Sequence, residues 1–149
     1  MPGSLFDSNV WLALTFESHP FHEIGRRALR DCGPDSAAIF CRATEQSFLR
    51  LASTPALLAK YDSTGLNNHD VIGFLTEFYQ LGNVSFAEES PAIRDQWLAL
   101  ADRETASPKL WMDAYLAAFA ISGNLRLVTF DRDFRQFEPH GLELILLTI

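Results

Sequence analysis

Ser4-Leu5-Phe6-Asp7-Ser8-Asn9 is the stretch whose reading decides the fold: a short apolar run stops at a carboxylate, and the helical pattern Val10, Trp11, Leu12, Leu14 follows at once. Such a run reads as a buried strand handing over to a helix, with Asp7 or Ser8 as the N-cap. An acid so placed stands at the carboxyl end of a strand. In an open α/β sheet that edge is where ligands bind, at the point where strand order reverses.

The same alternation continues outward from this stretch. A second helix follows His19-Pro20 with Phe21, Ile24, Ala28 and Leu29 on one face, and Cys32-Gly33-Pro34 ends it. Residues 37 to 41 read as a short buried strand. Residues 43 to 52 return to helical period through Phe48, Leu49 and Leu51, with Glu45 in the first turn. A short helix over 56 to 60, a turn-rich stretch over 62 to 68, a helix over 69 to 80 and a brief strand over 83 to 86 follow. Ser90-Pro91 and Ser107-Pro108 each read as an N-cap with proline at the first helical position. The first opens a helix with Ile93, Trp97, Leu98 and Ala101 inward. The second runs to about Ile121, with Trp111, Tyr115, Leu116, Phe119 and Ala120 as its apolar stripe, and ends at Ser122-Gly123. A strand over 126 to 130, a turn or short helix over 131 to 137 and a last buried strand over 142 to 147 complete the chain.

Strands separated by helices predict a mainly parallel sheet, because parallel neighbours need long, right-handed crossovers. That topology places the acids. Asp7 and Asp131 end strands, and Glu45 starts the helix that leaves one. Asp113, read in the second turn of its helix, begins near the same carboxyl edge, so all four converge on one rim.

The bulk composition sets the remaining bounds. A chain of 149 residues, 48% hydrophobic and 21% charged, predicts a single globular domain over 1–149 with one substantial core. No run of eighteen apolar residues occurs, and the N-terminus lacks a basic segment followed by an apolar core, so no membrane span is expected and a cytoplasmic location is. Cys32 and Cys41 are expected to stay reduced. The net charge of -7 argues against a broad electrostatic grip on nucleic acid. Arg42, Lys109, Arg132 and Arg135 nonetheless lie beside the acids along the chain, as local phosphate contacts or as ordinary surface charges.

Four acids sharing a site raise one another's pKa unless protons or a cation neutralise them. Magnesium or manganese is the matching ion, since hard cations take oxygen ligands. An ion so placed generates a hydroxide-like nucleophile near neutral pH and stabilises charge on a phosphoryl oxygen, which is what phosphodiester hydrolysis requires. The plainer alternative makes Asp7 and Asp131 helix N-caps and Glu45 an acid favoured at a helix start. Asp113, past the first turn in this reading, gains nothing from capping. His19 and His22 with Cys32 and Cys41 match no usual zinc spacing. No nucleophile elbow and no phosphate loop is present.

Four pieces carry a resemblance: Leu5-Phe6-Asp7-Ser8-Asn9-Val10, Thr44-Glu45-Gln46-Ser47-Phe48-Leu49-Arg50-Leu51, Trp111-Met112-Asp113-Ala114-Tyr115-Leu116-Ala117-Ala118-Phe119-Ala120 and Leu127-Val128-Thr129-Phe130-Asp131-Arg132-Asp133-Phe134. In this order they resemble the motifs of PIN-domain ribonucleases, in particular the VapC toxins of bacterial toxin-antitoxin pairs. The resemblance implies a five-stranded parallel sheet of order 3-2-1-4-5 and a magnesium- or manganese-dependent endoribonuclease leaving 5'-phosphate and 3'-hydroxyl ends. Carried over, Asp7 and Asp113 become the main metal ligands, Glu45 positions the attacking water and Asp131 is the fourth acid. Thr129 becomes a supporting hydroxyl, and Asp133 matches a less regular acidic position. His19 and His22 fall where the family often carries histidines, which raises a part in substrate contact. A small antitoxin whose C-terminal segment covers the acidic rim, with an arginine on the carboxylates, and a homodimer are implied as partners. Two alternatives stay open: a PIN-type nuclease of RNA maturation or DNA processing without an antitoxin, and a non-catalytic binding subunit.

Overall fold

The computed structural model of the chain describes residues 2–148. Five parallel strands form one sheet in the order β3-β2-β1-β4-β5: β1 Ser4–Phe6, β2 Ala38–Phe40, β3 Val84–Phe86, β4 Arg126–Thr129 and β5 Glu143–Leu146. The order reverses at β1, which pairs with β2 through Leu5–Ile39 and with β4 through Leu5–Leu127. The expected 3-2-1-4-5 sheet is therefore the one observed, and Asp7 leaves its central strand at the switch point.

Between the strands lie α1 Ser8–Thr15, α2 His22–Arg30, α3 Arg42–Ala52, α4 Pro55–Lys60, α5 Asn68–Gln80, α6 Ile93–Ala101 and α7 Leu110–Ser122. A 3₁₀ segment, Arg132–His140, joins β4 to β5. Side chains alternate across each strand and so feed two cores. Leu5, Ile39 and Leu127 face α6, α7 and the 3₁₀ segment, where Ala114, Ala117, Ala118, Phe119, Phe134 and Phe137 are buried. Phe6, Ala38, Phe40, Val84 and Val128 face the other layer, built on Trp11, Phe48, Leu58 and Val71. Trp11 stacks on Phe40 at 3.9 Å between centroids and donates its indole N–H to the Phe6 carbonyl at 3.1 Å. That bond fixes α1 against the carboxyl end of β1.

Several local expectations need correction. Helices α6 and α7 begin at Ile93 and Leu110, two residues beyond the prolines. The Ser90 and Ser107 carbonyls accept from the Ile93 and Leu110 amides at 3.1 and 3.0 Å, so each Ser-Pro pair makes a turn before the helix. Proline's fixed φ suits a turn and a first helical residue equally, and the local signature does not separate them. Asp113 consequently lies in the first turn of α7, not the second, where an acid does gain from the helix dipole.

Trp111 is 51% exposed and not part of the inward stripe, while Leu100 is buried where only its neighbours were expected. β5 is an edge strand with alternate residues exposed, not a buried one. After Ser122, Asn124 rather than Gly123 takes the left-handed φ of 54°. Gly123 is needed for space, since a Cβ there would stand 2.9 Å from the Phe119 carbonyl oxygen. Both cysteines are free, as expected. Among the described residues no helix is long and apolar enough to cross a membrane.

Candidate active site

The site starts where β1 and β4 end side by side. Asp7 caps α1, its Oδ1 accepting from the Ser8 amide at 2.8 Å, while its Oδ2 accepts from the Thr129 hydroxyl at 2.7 Å. One oxygen of Asp7 therefore caps α1, and the other ties the end of β1 to the end of β4. Asp7 is only 8% exposed, and burial pushes its carboxyl above the usual range against the opposing hydrogen bonds from Thr129 and Ser8.

Thr129, the last residue of β4, is fully buried and uses its whole hydrogen-bonding capacity. Besides donating to Asp7 it accepts from the Asp131 amide at 3.0 Å and from Asn9 Nδ2 at 3.3 Å. One hydroxyl thus joins the carboxylate ending β1 to the backbone of the acid following β4. Asp131 in turn caps the 3₁₀ segment, its Oδ1 accepting from the Asp133 amide at 2.9 Å, which leaves Oδ2 to face the rim and Lys109.

Asp113, Asp131 and Asp133 each present a carboxylate oxygen, and these oxygens all lie within 4.8 Å of one another. Among the described residues this is the group whose spacing suits a metal ion. Lys109, one turn before Asp113 on the same side of the chain, places its Nζ 2.9 Å from Asp133 Oδ2, 3.4 Å from Asp131 Oδ2 and 3.9 Å from Asp113 Oδ2. Those acids hold the ammonium well above its ordinary pKa, the Asp133 hydrogen bond foremost. Asp113 is pushed up to about 6: burial is the main cause, Lys109 opposes it, and the charges of Asp131, Asp7 and Asp133 add to it. Asp7 lies outside the 4.8 Å group and is tied to it by Thr129 and by its charge.

Glu45 stands apart from that group. It is buried at the start of α3, with Oε1 accepting from Arg42 Nη1 at 2.5 Å and Oε2 accepting from the Tyr79 hydroxyl at 2.8 Å. Arg42 lies over the Phe86 ring at 4.9 Å from its centroid. Burial and the Glu45 carboxylate together drive the Tyr79 hydroxyl far above its usual pKa. Residues from α3, α5 and β3 thereby fix one carboxylate in one orientation.

The expected auxiliary residues divide. Asp133 joins the acidic group and Thr129 supports it. His19 Nδ1 accepts from the Phe21 amide at 3.0 Å, and His22 Nδ1 lies 2.8 Å from the Ala13 carbonyl, so both rings serve local structure in the chain between α1 and α2. Three residues were not picked out from sequence in the parts they take: Lys109 as the cation among the acids, Tyr79 as the donor to Glu45, and Asn9 as the donor to Thr129. The i, i+4 spacing of Lys109 and Asp113 is a signal that finds the first of these. Nothing local announces the other two, whose partners lie 34 and 120 residues away.

The donor set is one of hard oxygens only, and a cationic group already seats among three of them. Such a set fits a hard divalent cation and not a soft one.

Comparison with known proteins agrees with this geometry. The sequence matches the PIN domain family over residues 4–138. It is 40% identical over 144 residues to Ribonuclease VapC41 of Mycobacterium tuberculosis strains CDC 1551 / Oshkosh and H37Rv, covering 96% of this chain and 97% of the relative. Among solved structures, VapBC2 from Rickettsia felis bound to a promoter DNA fragment aligns with a TM-score of 0.61 at 13% identity, over 97% of this chain and 98% of that one. VapBC-1 from nontypeable Haemophilus influenzae aligns at 0.61 with 16% identity over 96% of each chain. Mycobacterium tuberculosis VapC20, described as a Sarcin-Ricin loop cleaving toxin, aligns at 0.58 with 14% identity, over 94% of this chain and 96% of that one. At these identities the structural likenesses bear on fold alone. With the family match spanning most of the sequence and the VapC41 relative aligned along nearly its full length, the chain belongs to the PIN domain family, in its VapC branch.

Proposed function

We propose that this chain is the toxin of a toxin-antitoxin pair, an endoribonuclease that hydrolyses RNA phosphodiesters with a divalent metal ion. One observation supports this most: a relative named as a ribonuclease is 40% identical over 96% of this chain, and the acids expected from the family are all present in the sequence. The reading takes residues 1–149 as a single PIN domain acting in the cytoplasm.

Asp7 and Asp113 are the proposed principal metal ligands, with Asp131 beside them and Asp133 as a further acid at the rim. Magnesium or manganese, when bound, supplies water activation and charge stabilisation at the scissile phosphate. The chain's own residues do the rest. Thr129 holds Asp7 and the Asp131 backbone in fixed relation, so the carboxylates meet the ion without rearranging. Glu45, held by Arg42 and Tyr79, is the proposed acceptor that orients the attacking water. Burial of Asp7 and Asp113 makes their negative charge costly when the ion is absent, which favours taking up a cation.

The proposed partners are RNA, a small antitoxin whose C-terminal segment covers the acidic rim, and a second copy of the chain. The Rickettsia and Haemophilus structural neighbours are VapBC2 and VapBC-1, toxin-antitoxin pairs, which supports the antitoxin. Exposed Ile72 and Leu81, at and just past α5, support self-pairing.

The test is cleavage of a mixed RNA pool by wild type, Asp7→Asn and Asp113→Asn with magnesium, manganese or chelator. The expected result is cutting that needs metal and is lost in both variants. Metal-independent cutting, or equal cutting by the variants, overturns the proposal.

A further inference from the structure

We propose that Lys109 is a built-in placeholder cation: its ammonium neutralises the acidic site of the metal-free protein, and a divalent ion must displace it to bind. This inference rests on the reading of Asp113, Asp131 and Asp133 as part of a metal site. The three acids whose oxygens cluster within 4.8 Å are the same three that Lys109 Nζ approaches at 2.9, 3.4 and 3.9 Å. In each ion pair the oxygen facing the lysine is Oδ2, including that of Asp131, whose Oδ1 is committed to the Asp133 amide. The ammonium therefore competes for the oxygens that the ion would use.

The arrangement also lets the lysine leave. Its side chain is 68% exposed and has a flexible four-carbon stem, whereas Asp113 and Asp131 are 15% and 29% exposed and held by the fold. A mobile, strongly hydrated charge gives way while the Asp113 and Asp131 carboxylates stay in place. A lysine in this seat costs affinity, because both cations seek the same oxygens and the ion must displace the ammonium to reach them. It also opposes the mutual repulsion of the empty site. Metal occupancy is then set by competition with a charge the chain carries itself, and the weakening is expected to be about tenfold or more.

Manganese binding to the full-length chain, followed by calorimetry and by the free-ion electron spin resonance signal, tests this on wild type, Lys109→Gln and Lys109→Arg. Thermal unfolding without metal confirms that each variant is folded. The expected result is that Lys109→Gln binds manganese about tenfold more tightly than wild type, that Lys109→Arg does not, and that the gap between wild type and Lys109→Gln narrows as monovalent salt rises. Equal or weaker binding by folded Lys109→Gln, while wild type binds, overturns the placeholder and leaves the metal-site reading standing. Absence of binding by all three folded proteins overturns both.

Discussion

Replacing Thr129 by valine keeps the shape of a fully buried side chain and removes only its hydroxyl. That hydroxyl donates to Asp7 Oδ2 at 2.7 Å and accepts from the Asp131 amide at 3.0 Å and from Asn9 Nδ2 at 3.3 Å. A buried hydrogen bond to a carboxyl contributes about 1–3 kcal/mol, and a partly buried amide left without an acceptor adds up to roughly 1 kcal/mol. Thr129→Val is therefore expected to lose about 2–4 kcal/mol. At roughly 2–4 °C per kcal/mol for a chain of this size, the melting temperature falls by about 5–15 °C. Thr129→Ser keeps the hydroxyl and loses one methyl, for about 1 kcal/mol. Urea unfolding at pH 7 in chelator, with all three proteins in parallel, measures both differences. If Thr129→Val lies within about 0.5 kcal/mol of wild type, or Thr129→Ser loses as much as Thr129→Val, the hydroxyl does not hold the two strand ends together.

Asp113 carries a pH dependence whose sign follows from its raised pKa. The folded metal-free protein retains a proton up to about pH 6 that the unfolded chain releases near 4, so stability declines as pH rises through that window. Asp113→Asn removes the penalty and should unfold at higher urea than wild type at pH 7, with the difference shrinking as pH falls through about 6 and vanishing only well below about pH 4; a constant difference contradicts the shift. Manganese affinity should correspondingly fall as pH drops below about 6, because the metal-free chain then keeps a proton on this ligand. Tyr79→Phe deprives Glu45 of its hydroxyl donor and should cost about 1–2 kcal/mol in urea unfolding while lowering turnover more than manganese affinity. Phe48→Ala opens a cavity among Phe40 and Phe78 beneath α3 and should cost about 3–5 kcal/mol by the same assay.

Much of the fold was legible because its signals are local. Leu5, Phe6 and Asp7 announce a strand ending in a cap, and the helix periods of α3, α5 and α7 lie within single turns of sequence. The places where reading failed share a cause. Ser90-Pro91 and Ser107-Pro108 satisfy a turn and a helix start alike, and only packing beyond the residues decides which forms. Trp111 has the spacing of an inward residue, yet α7 is apolar all round and its alanine-rich side takes the close contact with the sheet. Leu142 to Leu147 reads as buried because composition does not reveal that β5 has a neighbour on one side only. For the site, residue type and motif order found the acids, but contacts across more than thirty residues, Tyr79 to Glu45 and Asn9 to Thr129, leave no local trace.

The division of Asp7's two oxygens, one on the Ser8 amide and one on Thr129, has a bearing on how such a protein can be disarmed. Substitutions at Asp7 that leave no polar group, such as Asp7→Ala, also strip a helix cap and a strand-to-strand tie, so they weaken the molecule as they silence it. At Asp113 no cap or strand tie is lost, so removing a charge that strains the folded chain is a relief. Cells selected to escape the proposed toxin should accordingly accumulate full-length, well-folded chains altered at Asp113, whereas changes at Asp7 that leave no polar group should surface as chains cleared by proteolysis. The same two sites then differ in what survives: an inert Asp113 variant stays abundant enough to go on occupying its antitoxin.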